Sequence, residues 1–379
     1  MSKGKDTLFI GGPIDGDWRS TAPGPMDILY LPLEFSKWYS AKRWPYPLGI
    51  GLSEGFDRQK IHHVTVPITY HESELWCNRT RTIVGTKKFD QVWLEVVHTQ
   101  YPEGFMEWLV ELAPIRVGFV VESLTIGDDE WKTNYKGTLR RVHNFESKLP
   151  HLTHLIVTDE RDLAVFQNKP HYAPHTIPVM LGIASIPEFF VRGPSAKLGK
   201  AVFFGTLYGE RMEWAMALQD RMLVNPPCTA EDSMGLLLED VFRESANTIG
   251  YYRDFFGNWQ DIRCGAYSLW IAHLRGLSAC AFINLPHRTN VLSGRVVEGI
   301  AAGKPIISPR MHNGADELFK DGEEILLYNG FDDLVQKIDM VMYDEGIQSF
   351  IASNARAKLL QSHTTEVRVK EVLDFVGCM

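Results

Sequence analysis

The chain has 379 residues, 45% hydrophobic and 23% charged, an ordinary globular balance that excludes a long disordered polymer. That length favours two domains over a single core. The formal net charge of −8 argues against passive adhesion to nucleic acid while leaving room for a local basic patch.

The N-terminus carries Lys3 and Lys5 but no apolar run of useful length before Gly11, so no secretory leader is expected. No stretch approaches about 18 consecutive apolar residues, so no membrane span is expected either. The five cysteines (Cys77, Cys228, Cys264, Cys280 and Cys378) are odd in number, widely spaced and without Cys-x-x-Cys. This is the usage of a reduced, cytoplasmic protein.

Short β-branched or aromatic runs at 7–10, 28–31, 63–68, 91–97, 116–121, 154–157 and 176–181 predict strands. Helical patterns at 104–112 and 131–145 fall between them. After the first strand comes Gly11-Gly-Pro-Ile-Asp-Gly16, where Gly11 and Gly12 either let a backbone approach a ligand or simply make a turn. His98 and Glu122 each follow a strand. Either can orient or deprotonate a hydroxyl, or merely cap the strand end.

Pro187, Gly193, Pro194 and Gly199 mark a linker near 188–199, dividing the chain into 1–190 and 191–379. A second series follows, with strands at 201–204, 280–284 and 305–308 and helices at 211–221, 295–302 and 331–343. Alternating apolar strands and helices imply α/β halves with parallel, doubly wound sheets. Such sheets bind ligands beyond the strand carboxyl ends.

The most informative stretch reads Ser-Gly-Arg-Val-Val-Glu-Gly-Ile-Ala-Ala-Gly-Lys-Pro-Ile-Ile over 293–307. Ser293 and Gly294 open a helix whose first turn suits an anion. Arg295 adds a charge suited to phosphate, and Glu298 follows on the same face, able to accept two hydroxyl hydrogen bonds. An ordinary helix with an exposed Arg/Glu pair is the competing reading.

This stretch resembles the donor-site signature of retaining GT-B glycosyltransferases of group 1, closest to the spore-maturation-type branch with Arg-x-x-Glu. Asn313-Gly-Ala-Asp-Glu-Leu-Phe-Lys-Asp-Gly-Glu-Glu-Ile-Leu-Leu-Tyr328 is similar to the glycine loop and short strand that follow in that family. Val202-Phe-Phe-Gly-Thr-Leu-Tyr-Gly-Glu-Arg211 is similar to the strand that opens its C-terminal domain, with Gly205 and a basic residue after it. The similarity covers 200–340 well and 85–190 loosely.

The resemblance implies a GT-B fold: two Rossmann-like domains facing a cleft, with an N-terminal acceptor half and a C-terminal donor half. It implies a hexosyltransferase that moves a sugar from a nucleoside diphosphate, UDP in expectation, onto a hydroxyl with retention. No metal or other cofactor is implied. Glu298 would take the donor ribose, and Arg211 and Arg295 the pyrophosphate. Asn290 stands where many relatives carry a second Glu near the sugar. The acceptor is left open among glycan, lipid, metabolite, protein and nucleic acid. A GT-B nucleotide-sugar epimerase and a non-catalytic nucleotide-sugar-binding protein are the rival readings.

His151-Leu-Thr-His154 and the pair His171 and His175 lack the spacing of a metal site. Arg79, Arg81, Lys87, Lys88, Arg140 and Arg141, with Trp76 and Trp131, read as scattered surface charge or as an aromatic-basic face. P-loop, serine-hydrolase and zincin motifs do not occur.

Overall fold

The computed structural model describes residues 26–34, 47–69, 73–124, 139–168, 176–178, 186–205, 207, 210–224, 264, 267–268, 270–286, 293–310 and 317–377. The expected strand at 7–10, Gly11, Gly12 and Asn290 lie outside these residues.

In the N-terminal half, β1 (Asp27–Leu31), β3 (His62–Thr65), β5 (Gln91–Glu95), β6 (Ile115–Val120), β7 (His154–Val157) and β8 (Thr176–Pro178) form one parallel sheet. Their order is β3-β1-β5-β6-β7-β8. Ile28, Leu29, Val92, Trp93, Leu94, Leu155 and Ile156 are all buried, as strands covered on both faces require. Helices α1 (Pro47–Arg58), α2 (Ser73–Val84), α3 (Phe105–Leu112), α4 (139–148) and α5 (Glu160–Gln167) alternate with the strands. The chain leaves β1 towards β3 on one side and returns to β5 on the other. The carboxyl ends of β1 and β5 therefore form a switch point of the kind where open sheets bind ligands.

The expected single strand at 63–68 is two pieces, β3 and β4 (Ile68–Thr69), and β4 pairs with β2 (Leu33–Glu34) in a separate ribbon. Pro67 between them has no N–H to give a ladder. The helix expected at 131–145 is described over 139–148 and closes in one tight turn, Leu149–His151, around Pro150.

In the C-terminal half, β9 (Phe282–Ile283), β10 (Ile306–Pro309) and β11 (Leu326–Tyr328) form a parallel sheet, extended by single bridges from Val202 to Phe282 and from Ala201 to Val224. The described helices here are α6 (Glu210–Asp220), α7 (270–276), α8 (Gly294–Ala301), α9 (Phe331–Met342), α10 (Glu345–Ser362) and α11 (Thr365–Gly377). The last of these lies against α1. A methyl group on Gly55 would stand 2.6 Å from Val369 Cγ2 and 2.9 Å from the Thr365 carbonyl. Phe375 meets His154 edge-on with ring centroids 5.9 Å apart.

Candidate active site

At the carboxyl end of β9, one aromatic ring carries two arginines. The Arg295 guanidinium stands 4.7 Å from the centre of the Phe203 ring and that of Arg211 5.9 Å. A cation over an aromatic face keeps its charge while its hydrocarbon stem is buried. Arg211, at the start of α6 and 3% exposed, donates through Nε to the Pro286 carbonyl at 2.7 Å. Arg295 donates through Nε to the Phe204 carbonyl and through Nη1 to Asn284 Oδ1.

Gly205 makes that placement possible. Its φ of +131° belongs to a region that favours glycine, and a β-carbon there would overlap Arg295 Nη2.

Ser293 precedes α8 in extended conformation, and its hydroxyl donates to Asn284 Oδ1 at 3.2 Å instead of capping the helix. A helix N-terminus carries partial positive charge, so α8 adds to the field of the two arginines. One turn on, Glu298 is buried and accepts from the Tyr267 hydroxyl at 3.2 Å. Burial pushes the Tyr267 phenol well above its ordinary range, with the Glu298 carboxylate adding to the effect. Tyr267 thus remains a donor at every physiological pH.

The second group sits at the carboxyl ends of β5 and β6. Glu95 is buried, and its Oε1 accepts from the backbone N–H groups of Val97 and His98 at 2.6 and 2.7 Å. Its Oε2 accepts from the Thr99 backbone and hydroxyl, both at 2.9 Å. From α4, Asn144 Nδ2 donates to the Val97 and His98 carbonyls, and Lys148 Nζ to that of Val96 at 2.9 Å. The 96–99 loop is thereby fixed from both sides.

His98 lies between two carboxylates, with Nδ1 3.1 Å from Glu95 and Nε2 3.4 Å from Glu122. Arg141 of α4 closes the chain on Glu122 at 2.5 Å. Burial opposes charge on the imidazole, but its hydrogen bonds to Glu122 and Glu95 prevail and raise His98 to about 9. Burial likewise opposes charge on Glu122, yet His98 and Arg141 hold it at about 2. The Glu122 side chain is 44% exposed, with its Oε2 held by His98 and Arg141.

Gly205, Arg211, Ser293, Gly294, Arg295 and Glu298 thus converge on one sheet end, and His98 and Glu122 touch on another. The sequence did not single out Asn284 or Tyr267 in the first group. In the second it passed over Glu95, Asn144 and Lys148. Arg141, read as surface charge, is an inward partner of Glu122.

The basic residues do not all share a face, and Trp131 lies outside the described residues. Lys87 pairs with Asp27 at the strand amino ends, whereas Arg141 lies at the carboxyl ends. His151 Nε2 is 3.9 Å from Glu107, and His154 Nδ1 is 2.8 Å from the Thr153 hydroxyl, so the two histidines have separate partners. Among the described residues no helix is long and apolar enough to cross a membrane.

Residues 258–374 match the family model described as glycosyl transferase-like. No curated protein matches the chain. Among solved structures, Anabaena HepE in complex with UDP-glucose superposes with a TM-score of 0.55 at 11% identity, covering 93% of this chain and 100% of that one. The fold is GT-B. HepE in complex with UDP and glucose gives a TM-score of 0.53 at 12% identity over the same shares. Sucrose-phosphate synthase from Thermosynechococcus elongatus gives 0.53 at 10% identity, over 93% of this chain and 98% of that one. In GT-B terms, α8 with Arg295 and Glu298 falls inside the matched C-terminal segment.

Proposed function

We propose that the chain is a hexosyltransferase that moves a sugar from UDP to a hydroxyl acceptor, with retention and without a metal. The observation that carries this reading is the pair of arginines on Phe203, with buried Glu298 one turn along α8. Two fixed cations and a helix N-terminus suit a diphosphate, and a carboxylate one turn away suits ribose hydroxyls. The match of 258–374 to a glycosyl transferase-like model supports it, as do the UDP and UDP-glucose bound by HepE.

Residues 191–379 are assigned to the donor and 1–190 to the acceptor, in the cytoplasm. As the glycosidic bond to the diphosphate breaks, charge grows on the leaving oxygen, and Arg211 and Arg295 meet it. Losing one such preorganised contact typically costs about 10²–10³ in rate. The cation of Arg295 is positioned before the reaction begins, through Phe204 and Asn284.

His98 and Glu122 are assigned to the acceptor hydroxyl. With His98 raised to about 9 and Glu122 held at about 2, they stand as an ion pair at neutral pH. A carboxylate of such low basicity is a weak proton acceptor, so their contribution is to orient the hydroxyl. The test is a screen of UDP-, GDP- and TDP-sugars for slow hydrolysis without acceptor. Turnover of a UDP-sugar in the presence of EDTA is expected. Turnover of none of them would overturn the reading.

A further inference from the structure

Asn284 follows β9 directly, is 1% exposed, and has all four of its polar functions engaged. Its N–H donates to the Ile307 carbonyl at 2.8 Å, and its carbonyl accepts from the Tyr328 hydroxyl at 2.9 Å. Its side-chain nitrogen donates to Ser308 Oγ at 3.2 Å. Its side-chain oxygen accepts from Ser293 Oγ at 3.2 Å and from Arg295 Nη1.

The orientation of this amide follows from chemistry. A guanidinium can only donate, so the oxygen faces Arg295 and the nitrogen is left for Ser308. The side chain thus ties β10 and the N-terminal end of α8 to the arginine, and the backbone carbonyl of the same residue holds Tyr328 of β11.

A carboxylate at this position would accept the same hydrogen bonds from Arg295 and Ser293, and Ser308 can turn its hydroxyl to donate. What separates the amide from the carboxylate is charge. An asparagine holds the guanidinium in place without adding a negative charge beside it, and an anionic ligand needs that positive charge. We propose that Asn284 is a positioning residue for the diphosphate of the donor, fixing Arg295 and the Ser293 end of α8 while leaving the charge of the arginine to the ligand. The proposal rests on the donor reading above and deepens it.

The test is calorimetric titration of UDP into wild type, Asn284→Asp and Ser308→Ala, with melting curves on each. Asn284→Asp is expected to melt within about 3 °C of wild type, a shift of roughly 1 kcal/mol or less. Its Kd for UDP is expected to rise at least tenfold, and in turnover KM for the donor should rise more than kcat falls. Ser308→Ala removes the partner that fixes the amide and leaves all charges in place. A smaller rise in Kd, about two- to fivefold, is expected.

A solely structural role would leave UDP binding untouched in a folded Asn284→Asp. Equal binding by wild type and folded Asn284→Asp overturns the proposal. If Asn284→Asp unfolds, unchanged binding by Ser308→Ala does the same. Failure of wild type itself to bind UDP, GDP or TDP overturns the donor reading, and the proposal falls with it.

Discussion

Gly205 and Arg295 are packed so closely that a β-carbon on the glycine would overlap the guanidinium. Gly205→Ala would also force alanine into a φ of +131°, at a cost of about 1–3 kcal/mol. The prediction is a moderately lowered melting temperature and a UDP affinity at least tenfold weaker, because Arg295 must move. Calorimetry on the folded variant checks it. Wild-type affinity would mean that the position of Arg295 is immaterial to binding.

Glu298 and the arginines should separate in kinetics. Glu298→Gln keeps the shape and the partner at Tyr267 but loses charge-assisted acceptance from the ribose, so KM for the donor should rise with kcat less affected. Arg211→Ala and Arg295→Ala should depress kcat by about 10²–10³, since their partner gains charge in the transition state. Steady-state kinetics on all three variants is the measurement. Wild-type kcat/KM in each would rule out these assignments.

The pairing of His98 has a definite pH signature. Its value is raised from 6.5 to about 9, so pairing stabilises the fold fully below about pH 6.5 and fades as pH rises through about 9. Glu122 is lowered from 4.5 to about 2, so its share is present above about pH 4.5 and fades as pH falls through about 2. Lys148, lowered to about 8 by burial, titrates in the same alkaline range, so the two must be separated. Proton NMR of the His98 ring does this, with an expected midpoint near 9. In denaturation, the stability difference between wild type and His98→Gln should be largest at about pH 4.5–6.5 and shrink by about pH 10. A midpoint near 6.5 would contradict the two-carboxylate bracket.

Much of the fold is legible in the sequence because its strands are uninterrupted apolar runs. The run at 154–157 appears as β7 with unchanged bounds, and the glycine of Ala-Ala-Gly at 303 ends α8 with φ +82°. The segment 201–204 reads as a strand, and among the described residues it pairs through single bridges, Ala201 with Val224 and Val202 with Phe282.

In the site, Arg295 and Glu298 are legible because both lie on one short helix with a characteristic spacing. Asn284, Tyr267 and Arg141 are not. Each reaches its partner across 11 to 31 positions of chain, and local periodicity carries no trace of such pairs. The polar Asn284 closing an apolar run was the one available signal.

Gly299 tests the helix–sheet spacing that carries Arg295 and Glu298, the two residues of α8 proposed to hold the donor. A methyl group there would overlap the end of Ile306 and stand 2.9 Å from Phe282 Cδ2, driving the helix off β9 and β10. Overpacking of this kind typically costs about 1–3 kcal/mol. Gly299→Ala should therefore lower the urea midpoint with an unchanged slope, and weaken UDP binding as Arg295 and Glu298 shift together. An unchanged midpoint would show that the interface yields freely.

Whether Arg211, Arg295 and Glu298 hold a nucleoside diphosphate is tested most directly by titrating UDP into the full chain with EDTA present, followed by heat and by melting temperature. Saturable binding is expected, with about 2.7 kcal/mol of stabilisation at roughly one hundred times Kd. Arg295→Ala should bind at least tenfold more weakly. Absence of binding by UDP, GDP and TDP at millimolar concentration, or equal binding by Arg295→Ala, would contradict the donor site.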